Sequence, residues 1–580
     1  MNRSRHPARW IPWALVGLAL GVRLLTAWPL QQPGYTDAYY YAVGAQQLDA
    51  GRGFEEPFIW NYLDPPESVP HSGYLYWMPL TAIVGWFGLA FLGDSFGPLQ
   101  MPFVLISALL PLLAYAIAWD LTREQKHAVL AGLLAVFPGF YAHVLVLPDN
   151  FAPFALAGSG SLWAVGRGLR DRKPLWFGLA GLAAGLGHLA RADGLLLLGV
   201  ACVAALALVL PKIRSGEGGP APWWLGVASA ALVLAGYVIA MGPWFLRNWS
   251  VFGTPLPGAG TKTMFLTTYD DMFAYGRPLT LQGYLAWGWG EILASKAQAL
   301  WLNLQRLWVE NLLIFLLPFS AFGLWRLRRK RLLWPFFLYL PLLFLSMTFV
   351  FTFPGVRGGL FHSGGALLPF FFAAAGPGLE AVLRWAARRF RGWHAKRAWR
   401  VFAAGLVGLA VLVTALALWR AGVYNGDWND RDRGYSEIAD WLMGQDAGQA
   451  IVMVGNAPGF TWHSGLMAIA VPNEPLDTIV DVAGRYGARY LVLDAARPRT
   501  TDRLYEGEEI HPGLLLRYTV EGGDGPLQLY EIVGRQQSAA PRKADEGHWT
   551  ASDGRHVGER CHCGKSDLRN SCGVPGYWRA

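Results

Sequence analysis

The sequence predicts an α-helical polytopic membrane protein of about eleven transmembrane helices with a soluble α/β domain at its C-terminal end. Three observations carry this. Apolar residues fall in blocks of about twenty, the length that crosses roughly 30 Å of hydrocarbon. The Lys and Arg clusters between the blocks all fall on one side once the crossings are counted. After residue 421 the blocks give way to short strands alternating with amphipathic helices.

Composition agrees. Hydrophobic residues make up 53% of the 580 and charged residues only 15%, too apolar a balance for a chain of soluble domains. The net charge of +9 does not indicate nucleic acid, because the basic residues are dispersed in short loops between apolar blocks. Of four cysteines, Cys202 lies in an apolar block and Cys561, Cys563 and Cys572 lie in the last twenty residues, so no disulfide framework holds the folded part.

The first block, 10–30, follows Arg3, Arg5 and Arg9 and lacks a cleavage site, which makes it a retained first helix with a cytoplasmic N-terminus. Further crossings are expected at 98–119, 127–147, 150–168, 175–190, 194–211, 224–246, 303–325, 332–353, 365–383 and 401–420. The stretch 74–92 is interrupted by Pro79 and opens with Tyr74, Tyr76 and Trp77. If it is not a crossing, Arg123 and Lys126, 167–173, Lys212 and Arg214, 326–331 and 384–400 all become cytoplasmic. A full twelve-helix protein would put most of them outside. The stretch is therefore read as re-entrant or as lying along the outer interface.

This parity divides the chain into a membrane domain over 1–420 with an outer loop at 31–97, an extracytoplasmic α/β domain at 421–536, and a disordered tail at 537–580. Within the α/β domain, helices are expected at 435–443 and 476–486 and strands at 450–454, 466–471, 489–494 and 528–533. Gly455-Asn456-Ala457-Pro458-Gly459 reads as an ordinary turn. The tail's Cys561, His562, Cys563 and Cys572 match no common four-ligand zinc spacing.

All the long polar loops share the outer face, and the chemistry is expected there. Asp37, among Tyr35, Tyr39, Tyr40 and Tyr41, lies just beyond the first helix. Such a carboxylate can act as a general base, bind a metal, stand as a solvated loop acid, or cap a helix starting near Ala38. Asp149 follows Pro148 in a short turn, where it is a second acid or a helix cap. Arg191 and Asp193, in Ala-Arg-Ala-Asp-Gly, can pair with each other, or Arg191 can take a lipid phosphate in its planar fork. Arg247 after Trp244, Lys262, and Arg357 with His362 supply positive charge at the same face.

In order and on a shared face, these features resemble the GT-C membrane glycosyltransferases, in particular protein O-mannosyltransferases and the aminoarabinose transferase of lipid A. Four similarities carry the resemblance: Asp37 in a first outer loop, His71 before Gly73-Tyr74-Leu75-Tyr76, the Ala-Arg-Ala-Asp-Gly turn, and Pro243-Trp244 with Arg247-Asn248 and Phe252-Gly253. It covers 10–420 in layout. It implies an inverting transfer of a sugar from a polyprenyl-phosphate donor to an extracytoplasmic lipid, glycan or protein, in the plasma membrane. Asp37 is then the catalytic base and Asp149 a second acid. His71, Arg191, Asp193, Arg247, Lys262, Arg357 and His362 become substrate-binding candidates. Ala38 stands where protein O-mannosyltransferases have Glu, and the two prolines after the family's His are missing at Ser72 and Gly73. Both departures argue against fixing a protein acceptor and leave dependence on a divalent metal ion open. The competing class is a transporter or lipid flippase, which would show an internal hydropathy repeat that this sequence lacks.

Overall fold

The computed structural model describes residues 9–209, 222–390, 394–523 and 525–533, with 215–216 and 219–220. The expected disordered tail, with its cysteine cluster, lies outside these residues, as do Lys212 and Arg214.

Among the described residues, five helices are long and apolar enough to cross a membrane: Phe96–Thr122, Trp224–Phe252, Arg331–Val350, Thr352–Arg389 and Lys396–Arg420. A pair bent by 49°, Gln125–Val136 with Gly139–Val146, makes a sixth. The other expected crossings fall on shorter or interrupted helices, so length and apolarity alone do not reproduce a count of eleven. Ile11–Ala27 and Pro174–Ala190 have 17 residues each, and the expected 303–325 segment is broken by left-handed Leu313 and Ile314. The ambiguous 74–92 stretch forms a helix only over Leu80–Leu92, whose 13 residues reach roughly 20 Å.

Close approach of helices is set by small residues. Pro174–Ala190 packs along Trp224–Phe252, and a Cβ on Gly181 would lie 2.0 Å from the Val233 carbonyl oxygen. Side-chain-free positions let such backbones meet. Arg23 sits wholly inside this bundle, donating to the Val136 and Ala135 carbonyls at 3.0 and 3.2 Å. It thereby satisfies the carbonyls left free where the bent pair breaks.

The C-terminal region is a three-layer α/β domain, and its sheet draws one strand from elsewhere. We number the strands β1 (Phe58–Ile59), β2 (Ile451–Val454), β3 (Ala468–Ala470), β4 (Ala488–Leu493), β5 (Leu514–Gly522) and β6 (Gly525–Ile532). Their order is β1-β3-β2-β4-β6-β5, parallel from β1 to β4 and antiparallel from β4 to β5. Period-two alternation divides the side chains between two cores. Phe58, Val452, Val454, Tyr490 and Val492 face the outer loop and helices Arg433–Gly444 and Ala457–Ser464. Ile59, Met453, Leu491 and Leu493 face helix Leu476–Tyr486.

Expected helices and strands are found close to their places, with further elements beside them. β5 was not anticipated, nor was β1, which belongs to the first outer loop. The segment read as a turn at 455–459 instead starts helix Ala457–Ser464. Asn456 caps it by accepting from Gly459 N at 3.2 Å, and Pro458 sits in the first turn, where its missing N–H costs nothing.

Candidate functional site

The first outer segment turns sharply after the first helix. Gly34, at φ +81°, lies directly against the Trp428 ring, so both its conformation and its lack of a side chain are required. Helix α1, as we label Thr36–Asp49, follows, capped at the backbone level by extended Tyr35. Asp37 is thus in its first turn rather than capping a helix that starts at Ala38. Residues Ala38 to Ala45 are all buried, so α1 is packed on every side.

Asp37 faces the turn that precedes helix Phe151–Asp171. Asp149 there is wholly buried, accepting from Tyr35 Oη at 2.6 Å and from Asn150 N. It makes no bond across the helix start, which removes the capping explanation. Asn150 organises the surroundings. Its Oδ1 lies 2.7 Å from His362 Nδ1 and accepts from Arg191 at 3.4 Å, while its amide reaches the Tyr41 hydroxyl at 3.4 Å. Arg191 also pairs with Asp193 at 2.9 Å, as its spacing suggested, and Ser363 joins both.

These contacts fix the histidine's tautomer. An acceptor oxygen at Nδ1 requires the proton there, which leaves the Nε2 lone pair unprotonated. Phe151 stacks on the ring with centroids 3.8 Å apart, holding its plane. Nε2 then lies 3.8 Å from Asp37 Oδ2, while Nδ1 is 3.9 Å from Asp149 Oδ1. Two lone-pair groups facing each other repel unless a proton or cation stands between them. One ligand atom from each of Asp37, Asp149 and His362 lies within 4.8 Å of the others, a donor set that fits a divalent ion.

Exposure separates the two acids. The Asp37 side chain keeps 30% exposure and Asp149 none, so Asp37 lines the open side and Asp149 stands behind it. Burial, then the neighbouring Asp149 charge, raises the Asp37 carboxyl above its ordinary range, with Arg191 and Arg357 opposing. Burial likewise raises Asp149, against the Tyr35 and Asn150 hydrogen bonds. Arg357 also lies 5.0 Å over the Tyr269 ring.

Asp37, Asp149, Arg191, Asp193, His362 and, through its charge, Arg357 therefore converge. The other expected residues lie apart. Arg247 donates to the Gly73 and Phe54 carbonyls at 3.1 and 3.4 Å and stacks near Trp244 and Phe252, binding the outer loop to its helix. His71 lies 3.0 Å from the Phe58 carbonyl and 3.6 Å from Glu56. Together they line an open groove of about 360 Å³ with Arg52, Phe54 and Glu55. Lys262 donates to the Leu63 carbonyl at 2.8 Å. Sequence reasoning passed over Tyr35, Tyr41 and Ser363 as working parts, although each is within four residues of a residue it chose.

Comparison with known proteins places the fold. Residues 73–239 match the family described as dolichyl-phosphate-mannose-protein mannosyltransferase. The Archaeoglobus fulgidus oligosaccharyltransferase, solved in complex with Zn and sulfate, is 13% identical over 90% of this chain and 72% of its own, with a TM-score of 0.53. Apo ArnT from Cupriavidus metallidurans is 14% identical over 90% of this chain and 99% of its own, with a TM-score of 0.50. No curated protein sequence matches this chain. The chain shares the fold of these two structures, and its residues 73–239 match the mannosyltransferase family.

Proposed function

We propose that this protein is a membrane glycosyltransferase that moves a sugar from a polyprenyl-phosphate donor to an extracytoplasmic acceptor, with inversion and with Asp37 as base. The observation that carries the reading is the Asp37 carboxylate, partly open, backed by buried Asp149 and faced by the His362 Nε2 lone pair. The family matching residues 73–239 is named for dolichyl-phosphate-mannose, a polyprenyl-phosphate sugar.

In this mechanism Asp37 accepts the proton of an acceptor hydroxyl or amine as that atom bonds to the anomeric carbon. The bond from that carbon to the phosphate oxygen breaks, and its electron pair leaves with polyprenyl phosphate. A single in-line displacement inverts the anomeric centre. The raised proton affinity of Asp37 suits a base working near neutrality, and such bases contribute about 10²–10⁴ in rate. Asp149 and Asn150 hold the tautomer and position of His362. Arg191 and Arg357 supply charge to the departing phosphate. A divalent ion held by Asp37, Asp149 and His362 would supply further positive charge to that leaving group when bound.

The plasma membrane, with the N-terminus in the cytoplasm and the α/β domain outside, is the location this reading needs. The test is release of polyprenyl phosphate by the purified protein in lipid, from a panel of labelled polyprenyl-phosphate sugars, with envelope extract as acceptor. Donor-dependent, acceptor-dependent release supports the reading. Donor uptake or flipping without release of the phosphate would replace it with the transporter.

A further inference from the structure

Helix α1 is held from two opposite sides. Asp37 looks toward the membrane-domain turns, whereas Tyr39, two residues on and therefore about 200° around the helix, looks toward the C-terminal domain. Tyr39 is fully buried, with its hydroxyl 2.6 Å from Asp432 Oδ2 and 3.0 Å from His463 Nε2. Ser436 Oγ lies 3.4 Å from the other ring nitrogen. Burial pushes His463 down to about 4, so the ring is neutral. The donors then close in one order: Ser436 to His463 Nδ1, His463 Nε2–H to the Tyr39 oxygen, and Tyr39 O–H to Asp432.

The same domain also grips the approach to α1. Trp428 Nε1 donates to the Gln32 carbonyl at 3.0 Å, Gln32 Nε2 donates to the Trp428 carbonyl at 2.9 Å, and Asn429 bonds Pro29 and Gln31. Helix Ala457–Ser464, which carries His463, packs along α1, and strand β1 just after α1 completes the domain's sheet.

We infer that Tyr39, Asp432 and His463 are positioning residues of the proposed transfer, fixing the rotation of α1 so that the Asp37 carboxylate meets Asp149 and His362. This inference rests on the proposed function for its catalytic readout and on geometry alone for its mechanical one. A 10° rotation would move a carboxylate roughly 6 Å from the helix axis by about 1 Å. A displacement of that size can cost about 10² in rate. The C-terminal domain is accordingly a working part of the site rather than a cover over it.

The test uses the full-length protein with Tyr39→Phe, Asp432→Asn and His463→Gln, each close in shape to the original. Tyr505→Phe is the control, because it removes a part-buried bond of 2.6 Å to the Pro526 carbonyl inside the same domain and involves none of the groups described above as holding α1. Hydrogen exchange of the α1 amides and steady-state kinetics are read together. The three variants should speed exchange in α1 but not in helix Leu476–Tyr486, and lower kcat by about 10–100-fold. Donor KM should stay within about twofold, since ground-state donor contacts are untouched. The control should change neither. Unchanged α1 exchange in all three variants, or an equal kcat loss in the control, overturns the inference. If wild type transfers no sugar, the proposed function fails, and the exchange result still decides whether the domain holds α1.

Discussion

Two groups of two acids and a histidine stand at different levels along the span Thr352–Arg389, each with ligand atoms within 4.8 Å of one another. Near its start are Asp37, Asp149 and His362; toward its end are Glu124, His127 and Glu380. The second group is a closed ion network. Lys126 bridges Glu124 and Glu380 at 3.0 and 2.8 Å, Arg384 reaches Glu380 at 2.6 Å, and His127 Nε2 lies 2.9 Å from it. Its charges balance without a ligand, and the Glu124 side chain is 44% exposed to solvent. In the first group no lysine intervenes, the nearest arginine is engaged by Asp193, and Asp149 has no exposure at all. The composition is nearly the same, yet only in the first group do a histidine lone pair and a partly exposed carboxylate face each other with no lysine between them. The cations built in beside an acid pair, more than the acids themselves, distinguish the proposed site from a network that holds helices together.

The contrast can be broken by substitution. Asp149→Asn should lower turnover by about 100-fold while leaving thermal stability equal or higher, because it removes a buried charge that its neighbours only partly compensate. A divalent cation such as Mn²⁺ should raise the unfolding temperature of wild type. At a hundredfold excess over its dissociation constant the gain is about 2.7 kcal/mol. Asp149→Asn should abolish that gain and Glu124→Gln should keep it; a gain that follows Glu124 would reverse the assignment of the two groups.

Dependence on pH gives a smaller and sharper discrimination. Burial and the Asp149 charge raise the folded-state pKa of Asp37 above its ordinary value to about 7, so between the two the folded protein holds the extra proton. Stability without metal is then greatest at low pH and falls as pH rises through the raised value. Turnover needs the ionised form and rises over that same interval. The two profiles should cross, and saturating Mn²⁺, which competes with the proton for Asp37, should flatten the stability profile and move the rise in turnover to lower pH. The smallest effect is expected at the closed network. Glu380→Gln should leave turnover within about twofold and cost about 1–2 kcal/mol of stability, reduced by the partial exposure of Lys126 and Arg384.

Much of the layout was legible from local pattern. Helix Leu476–Tyr486 was read to its ends because a strong apolar stripe runs between Pro475 and Gly487. Asp37 stood out because few residues separate it from the first apolar block. The contact between His362 and Asn150 spans 212 positions, and nothing local in either segment encodes it. Arg247 shows the converse. A cation with Trp at the end of a membrane helix reads alike whether it meets a phosphate or, as here, the carbonyls of Phe54 and Gly73. Strand β1 has two residues, too few for alternation to register, and becomes a strand only because β3 offers an edge. The interrupted crossings were hidden for a related reason. Hydropathy averages over a break such as Leu313–Ile314 that the backbone does not.

The measurement that bears most directly on the central claim is turnover by Asp37→Asn beside wild type, with a donor that wild type uses and at matched thermal stability. We expect loss of at least about 10²–10³ in kcat with the fold intact. Equal turnover by the two proteins would contradict the claim and remove Asp37 from the chemistry.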